Sequence, residues 1–193
     1  MKKSVHLLLL AIAPFFNAQA ETKLKSAENE GTHAAARNDG LAPLRFLVGY
    51  CWTGTFPDGE NTDTHCYSDM YQGHFIRDVH TVFGKNPDYH GETIYHLEAG
   101  TSRISYRYWN SLGGVSDGIA LHVDGNLLFP DEAHLTKDGK KIEIRSSISM
   151  VDGDNYVAIS EQKSGADWHE LWRITFTKFR PTGSIESQGQ LDP

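Results

Sequence analysis

From Leu44 to Lys178 the chain alternates apolar and polar residues with a period of two, and turn-forming clusters interrupt it at short intervals. Successive side chains of an extended strand point to opposite faces, so this pattern describes half-buried β-strands. It leaves no window of ten residues with a helical period. The segments read as strands are 46–56, 62–71, 74–83, 92–98, 103–110, 116–122, 126–129, 141–151, 155–163 and 168–178. Between them stand turn signals such as Asp58-Gly59, Gln72-Gly73, Gly113-Gly114, Asp124-Gly125 and Asp152-Gly153-Asp154. Short strands joined by tight turns predict an all-β, antiparallel up-and-down meander of about ten strands. A meander of that length has two exposed edges unless it closes, so a barrel is expected.

The flanks differ in character. Residues 1–20 carry a basic start (Lys2, Lys3), an apolar run from Val5 to Phe16 and the small-residue ending Ala18-Gln19-Ala20, the layout of a secretory signal peptide. The run is too short to span a bilayer. Residues 21–40 read as a flexible leader, 41–180 as the barrel domain and 181–193 as a disordered tail. The expected location is therefore outside the cytoplasm, periplasmic or secreted, with no integral membrane segment in the mature chain. Removing Lys2 and Lys3 from the 18 basic residues leaves 16 against 25 acidic ones, a formal charge of −9. That balance repels phosphate backbones and anionic lipid heads, which argues against nucleic acid or a membrane surface as the main partner.

The first hairpin supplies geometry. A two- or four-residue loop centred on Asp58-Gly59 pairs positions whose numbers sum to 117, so Cys51 faces Cys66, Trp52 faces His65 and Gly54 faces Asp63. Trp52, Phe56, Asp63, His65 and Tyr67 then share one face, and the bulk of Trp52 assigns that face to the interior. The two cysteines share the other face. They are the only cysteines in the chain, and an exported protein meets an oxidising compartment, so a Cys51–Cys66 disulfide is expected. A three-residue Pro57-Asp58-Gly59 loop would offset the cysteines by one position and leave two free thiols.

Other residues have a bland reading beside a functional one. His65, His80, His96 and His169 have no mutual spacing that marks a metal site, and neither HExxH nor CxxC occurs, so no metal is expected. Gly114-Val115-Ser116-Asp117-Gly118 matches G-x-S-x-G but lacks the strand–turn–helix setting of a nucleophile elbow. Arg77 lies on the face opposite Asp78 and His80; it either turns inward to pair an anionic ligand group or makes a surface ion pair. Tyr95, Tyr106, Tyr108, Trp109 and Asn110 supply aromatic walls with polar tips, although which half of strands 92–98 and 103–110 points inward is open.

Phe46-Leu47-Val48-Gly49 followed by Trp52 and Gly54 resembles the opening strand of the DUF1579 family of lipocalin-like (calycin) barrels. Thr93-Ile94-Tyr95-His96, the run Tyr106 to Ser111, and Gly113, Gly114 and Gly118 resemble its middle. The resemblance covers roughly Leu44 to Lys178. In this chain two residues, Tyr50 and Cys51, separate Gly49 from Trp52 where lipocalins usually have one. The resemblance implies a lipocalin-like barrel with a ligand cavity. The expected activity is binding of a small, partly apolar molecule in the lumen, through Trp52, His65, Tyr67, Arg77, Tyr95, Tyr106, Tyr108 and Asn110. Two other activities remain open. One is an isomerase or hydrolase using His65 and Asp63 as an acid–base pair. The other is a nitrobindin-like barrel that holds haem through a histidine. No cofactor is required by the binding reading. A barrel with a filled core would bind nothing.

Overall fold

The computed structural model describes residues 39–84 and 88–181. The expected signal peptide, most of the expected leader and the tail beyond residue 181 lie outside the described residues. What is described is all-β: a short 3-10 helix (Asp39–Leu44) leads into ten strands. These are β1 (Cys51–Thr55), β2 (Asn61–Met70), β3 (Phe75–Gly84), β4 (Tyr89–Leu97), β5 (Ile104–Asn110), β6 (Val115–Val123), β7 (Asn126–Leu135), β8 (Lys141–Met150), β9 (Asn155–Ser164) and β10 (Asp167–Phe179). Each strand pairs antiparallel with its sequence neighbours, and β1 pairs with β10 to close the barrel. The closing seam pairs Cys51, Trp52 and Thr53 with Phe179, Lys178 and Thr177 and so joins the two edge strands into one wall, as the alternation anticipated.

The strand boundaries depart from the sequence reading at three places. Residues 46–50 are not strand. Gly49 takes φ +83°, a left-handed conformation that a side chain disfavours, and it turns the chain from the 3-10 helix into β1. Leu41, Leu44 and Leu47 in this segment are fully buried. They plug one end of the barrel together with Trp52 and Ile76, so the apolar group read as a strand start serves as a stopper. In the second place β7 runs on through Pro130 to Leu135. Its pairing with β8 shifts register between Phe129 and Glu132, and an irregularity of this kind is where a strand tolerates proline. In the third, β4 begins at Tyr89.

The first hairpin has the register expected of a loop centred on Asp58-Gly59: Cys51 opposes Cys66, Trp52 opposes His65 and Gly54 opposes Asp63. The loop is held by Phe56 N–H donating to Asn61 O (2.9 Å) and by the Asp58 carboxylate accepting from the Glu60 N–H (2.8 Å). Cys51 and Cys66 form a disulfide with Cα atoms 4.1 Å apart. Among the described residues no helix is long and apolar enough to cross a membrane.

Candidate functional site

The lumen follows from strand alternation. Asp63, His65 and Tyr67 of β2 point inward, as do Asp78, His80 and Val82 of β3, Thr93 and Tyr95 of β4, and Tyr106 and Tyr108 of β5. Phe129, Glu132 and His134 of β7, Ile144 and Ile148 of β8, Tyr156 and Ala158 of β9, and Trp172 and Phe176 of β10 complete the wall. These groups bound a cavity of about 530 Å³, inside the ~300–1,000 Å³ range of small-molecule sites. Its inner end rests on aromatic rings above the leucine plug: Tyr156 stacks on Phe176 at 5.0 Å and leans on Trp52 at 4.9 Å. The other rim carries Phe56 edge-on to Trp172 at 6.0 Å. Two glycines make room for His80, Tyr108 and Tyr106. A Cβ at Gly91 would stand 2.1 Å from His80 Nε2, and one at Gly118 would stand 2.3 Å from the Tyr106 hydroxyl.

The polar groups gather on one stripe. His65 donates from Nδ1 to Asp78, at 2.9 and 3.1 Å from its two oxygens, and from Nε2 to Asp63 Oδ2 at 3.2 Å. His80 donates from Nδ1 to Asp63 Oδ1 at 3.1 Å, and its Nε2 pairs with the Tyr108 hydroxyl at 3.2 Å. Tyr108 in turn bonds Tyr89. The imidazoles of His65 and His80 stack at 4.6 Å between centroids. On the far wall Tyr106 donates to Glu132 at 2.9 Å. The result is a continuous chain: Asp78, His65, Asp63, His80, Tyr108, Tyr89.

Burial and charge oppose each other here. Burial alone would favour the neutral carboxyl of Asp63, but the charges and hydrogen bonds of His65 and His80 outweigh it and hold Asp63 well below the usual carboxylate range. Burial likewise disfavours a charged His65, but the carboxylates of Asp78 and Asp63 outweigh it and raise the imidazole well above its usual value. His65 is therefore an imidazolium bracketed by two carboxylates. Burial pushes the hydroxyls of Tyr67, Tyr95, Tyr106 and Tyr108 upward, so they act as neutral donors.

The structure sorts the residues proposed from sequence into four places. His65, Tyr67, Tyr95, Tyr106 and Tyr108 line the cavity, with Asp63 beside them. Trp52 does not. It is fully buried at the plugged end, where its indole N–H donates to Leu47 O at 3.2 Å. The extra residue before it therefore still leaves Trp52 at the closed end of the barrel. Arg77 is outside the lumen, bonded bidentately to Glu92 at 2.9 and 2.8 Å, because strand alternation turns it away from Asp78 and His80. Asn110 is at the strand end, where its side-chain carbonyl caps the β5–β6 turn by accepting from Leu112 and Gly114 N–H, and its side chain also hydrogen-bonds Tyr89 and Tyr108 at the end of the polar stripe. The Ser116 of the G-x-S-x-G match lies within β6, is 1% exposed and bonds His134 Nδ1 at 2.7 Å; no sharp turn presents it.

The sequence reading passed over the union of His80 with His65 and Asp63. The signal was present: a turn centred on Gln72-Gly73 pairs positions summing to 145, which sets His65 opposite His80, as the structure has it. The contributions of Glu132, His134, Tyr156 and Trp172 come from distant strands and have no local signal. A haem requires one imidazole nitrogen facing an apolar slot. Both nitrogens of His65 and of His80 face polar partners, and three carboxylates lie in the lumen, so these two histidines do not fit that group. No family model and no curated protein matches the chain.

Proposed function

We propose that this is an exported, DUF1579-like barrel protein that binds one small, partly apolar molecule in its lumen. The observation that carries the reading is the combination of a cavity of about 530 Å³, walled mainly by aromatic and aliphatic side chains, with polar groups confined to one stripe. A core meant only for stability would be filled to crystal-like density. The aromatic walls supply contact area, and the stripe from Asp78 to Tyr89 fixes the orientation of a polar group on the ligand. Among the described residues the lining carries Asp63, Asp78 and Glu132 but no lysine or arginine. That favours a neutral ligand with hydrogen-bonding groups over a fatty acid. Export is supported by the disulfide and by the signal-like N-terminus.

The test is native mass spectrometry of the exported protein, followed by displacement of a neutral polarity-sensitive dye in chelator-treated buffer. Saturable dye binding in wild type that Ala158→Trp abolishes supports the lumen, since Ala158 faces the cavity and a tryptophan there would occupy it. A dye that binds wild type and the variant equally, with both showing the same far-UV spectrum and an intact disulfide, refutes it.

A second reading rests on the Asp78–His65–Asp63 series. A charged imidazole held between two carboxylates, beside a cavity, is an arrangement that can move a proton to or from a bound molecule. Under that reading His65→Ala abolishes turnover of a substrate that still binds. Under simple binding the same change alters affinity alone.

A further inference from the structure

We propose that Asp63, His65 and His80 form a site for one divalent transition-metal ion, zinc-like in its preferences, in the wall of the lumen. The inference goes beyond ligand binding and stands without it. The fold assembles the three residues from two adjacent strands: Asp63 and His65 are two apart on β2, and His80 of β3 is the cross-strand partner of His65. One donor atom from each lies within 4.8 Å of the other two. A tetrahedral ion with bonds of about 2.0–2.1 Å holds its ligands roughly 3.4 Å apart. His65 Nε2 and His80 Nδ1 already stand 3.2 and 3.1 Å from the Asp63 carboxylate. Those contacts are to different oxygens, Oδ2 and Oδ1, and the rings stack within 15° of parallel, so binding one ion requires both rings to turn until their nitrogens converge on one point.

The outer partners are the independent observation. An imidazole that ligates a metal through one nitrogen is nearly always held through the other by a carboxylate, a carbonyl or another polar group, which fixes its tautomer and orientation. Here the nitrogen of His65 that faces away from Asp63 is held by Asp78, and the corresponding nitrogen of His80 by Tyr108, itself bonded to Tyr89. Both rings are thus oriented from behind, with their remaining nitrogens aimed at a shared carboxylate. All three donors line the cavity, so a fourth position would face the lumen, open to water or to a donor atom of a bound molecule. Two imidazoles and one carboxylate suit zinc, iron, nickel or copper; calcium and magnesium require shells of oxygen.

The experiment uses the mature, disulfide-intact protein, stripped with chelator and titrated calorimetrically with Zn²⁺, and with Mg²⁺ and Ca²⁺ in parallel. The expected result is one zinc per chain and no saturable binding of the other two ions. His65→Gln and His80→Gln should each abolish the zinc event. Asp78→Asn, which removes an orienting group and no ligand, should weaken it about 10–100-fold. Because these variants remove buried partners, a second measurement needs no substitution: anomalous diffraction from zinc-soaked wild-type crystals should place a peak between the three side chains. Zinc binding that persists in folded His65→Gln, or an anomalous peak elsewhere, overturns the proposal, as does the absence of saturable zinc binding in wild type. Dye displacement run with chelator present reports on the lumenal ligand alone, so failure of either idea is visible without the other.

Discussion

The chemistry of individual residues centres on Asp63, whose carboxylate accepts from two imidazoles. In metal-free protein this pairing makes stability depend on pH in both directions. Asp63 is lowered from its ordinary 3.8, so its contribution is present above that value and is lost as pH falls below it. His65 is raised from its ordinary 6.5, so its contribution is complete below that value and is lost as pH climbs toward the elevated one. The pair therefore stabilises most between these two ordinary values. Thermal melts of chelated protein across pH should peak in this mildly acidic window, and His65→Gln should flatten the profile; an unchanged profile in that variant would reject the assignment. Gly91 is equally sensitive for a steric reason. A methyl group there would meet His80 Nε2 and the Tyr108 ring. Gly91→Ala should cost about 1–3 kcal/mol, as overpacking does, measured by urea unfolding, and should displace His80 from Tyr108.

Single elements carry separate burdens. The β1–β2 hairpin is closed by the disulfide with a sequence separation of 15. In the chain-entropy model such a loop contributes about 3 kcal/mol. The Cys51→Ser/Cys66→Ser double variant should melt lower by roughly 6–12 °C, given ~2–4 °C per kcal/mol for a domain of this size. Calorimetry showing no difference would mean that the reduced hairpin is already restricted in the unfolded chain. The segment from the 3-10 helix to Gly49 has a different task. It stoppers the barrel with three fully buried leucines and receives the Trp52 N–H on the Leu47 carbonyl. Trp52→Ala should therefore cost about 3–5 kcal/mol, an effect on folding that leaves the lining of the lumen chemically unchanged.

For the whole molecule, closure joins ten strands into a single wall, and the lumen draws on nearly all of them. Trp172, not Trp52, lines the cavity. Ligand-induced changes in tryptophan emission should therefore be reduced in Trp172→Phe and retained in Trp52→Phe. The charge of the lining leads to a related expectation: a neutral retinoid-like dye should bind more tightly than a fatty acid of similar length. The reverse order in a competition titration would show that the lining presents positive charge to the ligand.

The elements and much of their pairing can be read from the chain, because those depend on local rules. Period-two alternation set the strands, and the turn dipeptides set the hairpin registers. A loop centred on Asp58-Gly59 made the facing of Cys51 and Cys66 legible, and with it the face that Asp63, His65 and Tyr67 share with Trp52, whose bulk pointed to the interior. The same rule applied at Gln72-Gly73 holds His80 opposite His65. Tertiary structure decided what local rules do not reach. Whether Trp52 reaches the cavity or its floor depends on how far along the barrel axis the leucine plug extends. Arg77 was assignable by parity once Asp78 and His80 were known to face inward, but only closure establishes which side is inside. Glu132 and His134 face the lumen beyond a register shift at Pro130, where alternation loses count. The joining of β1 to β10 brings Trp172 and Phe176 against residues more than a hundred positions away, and no period in the sequence encodes a contact at that separation.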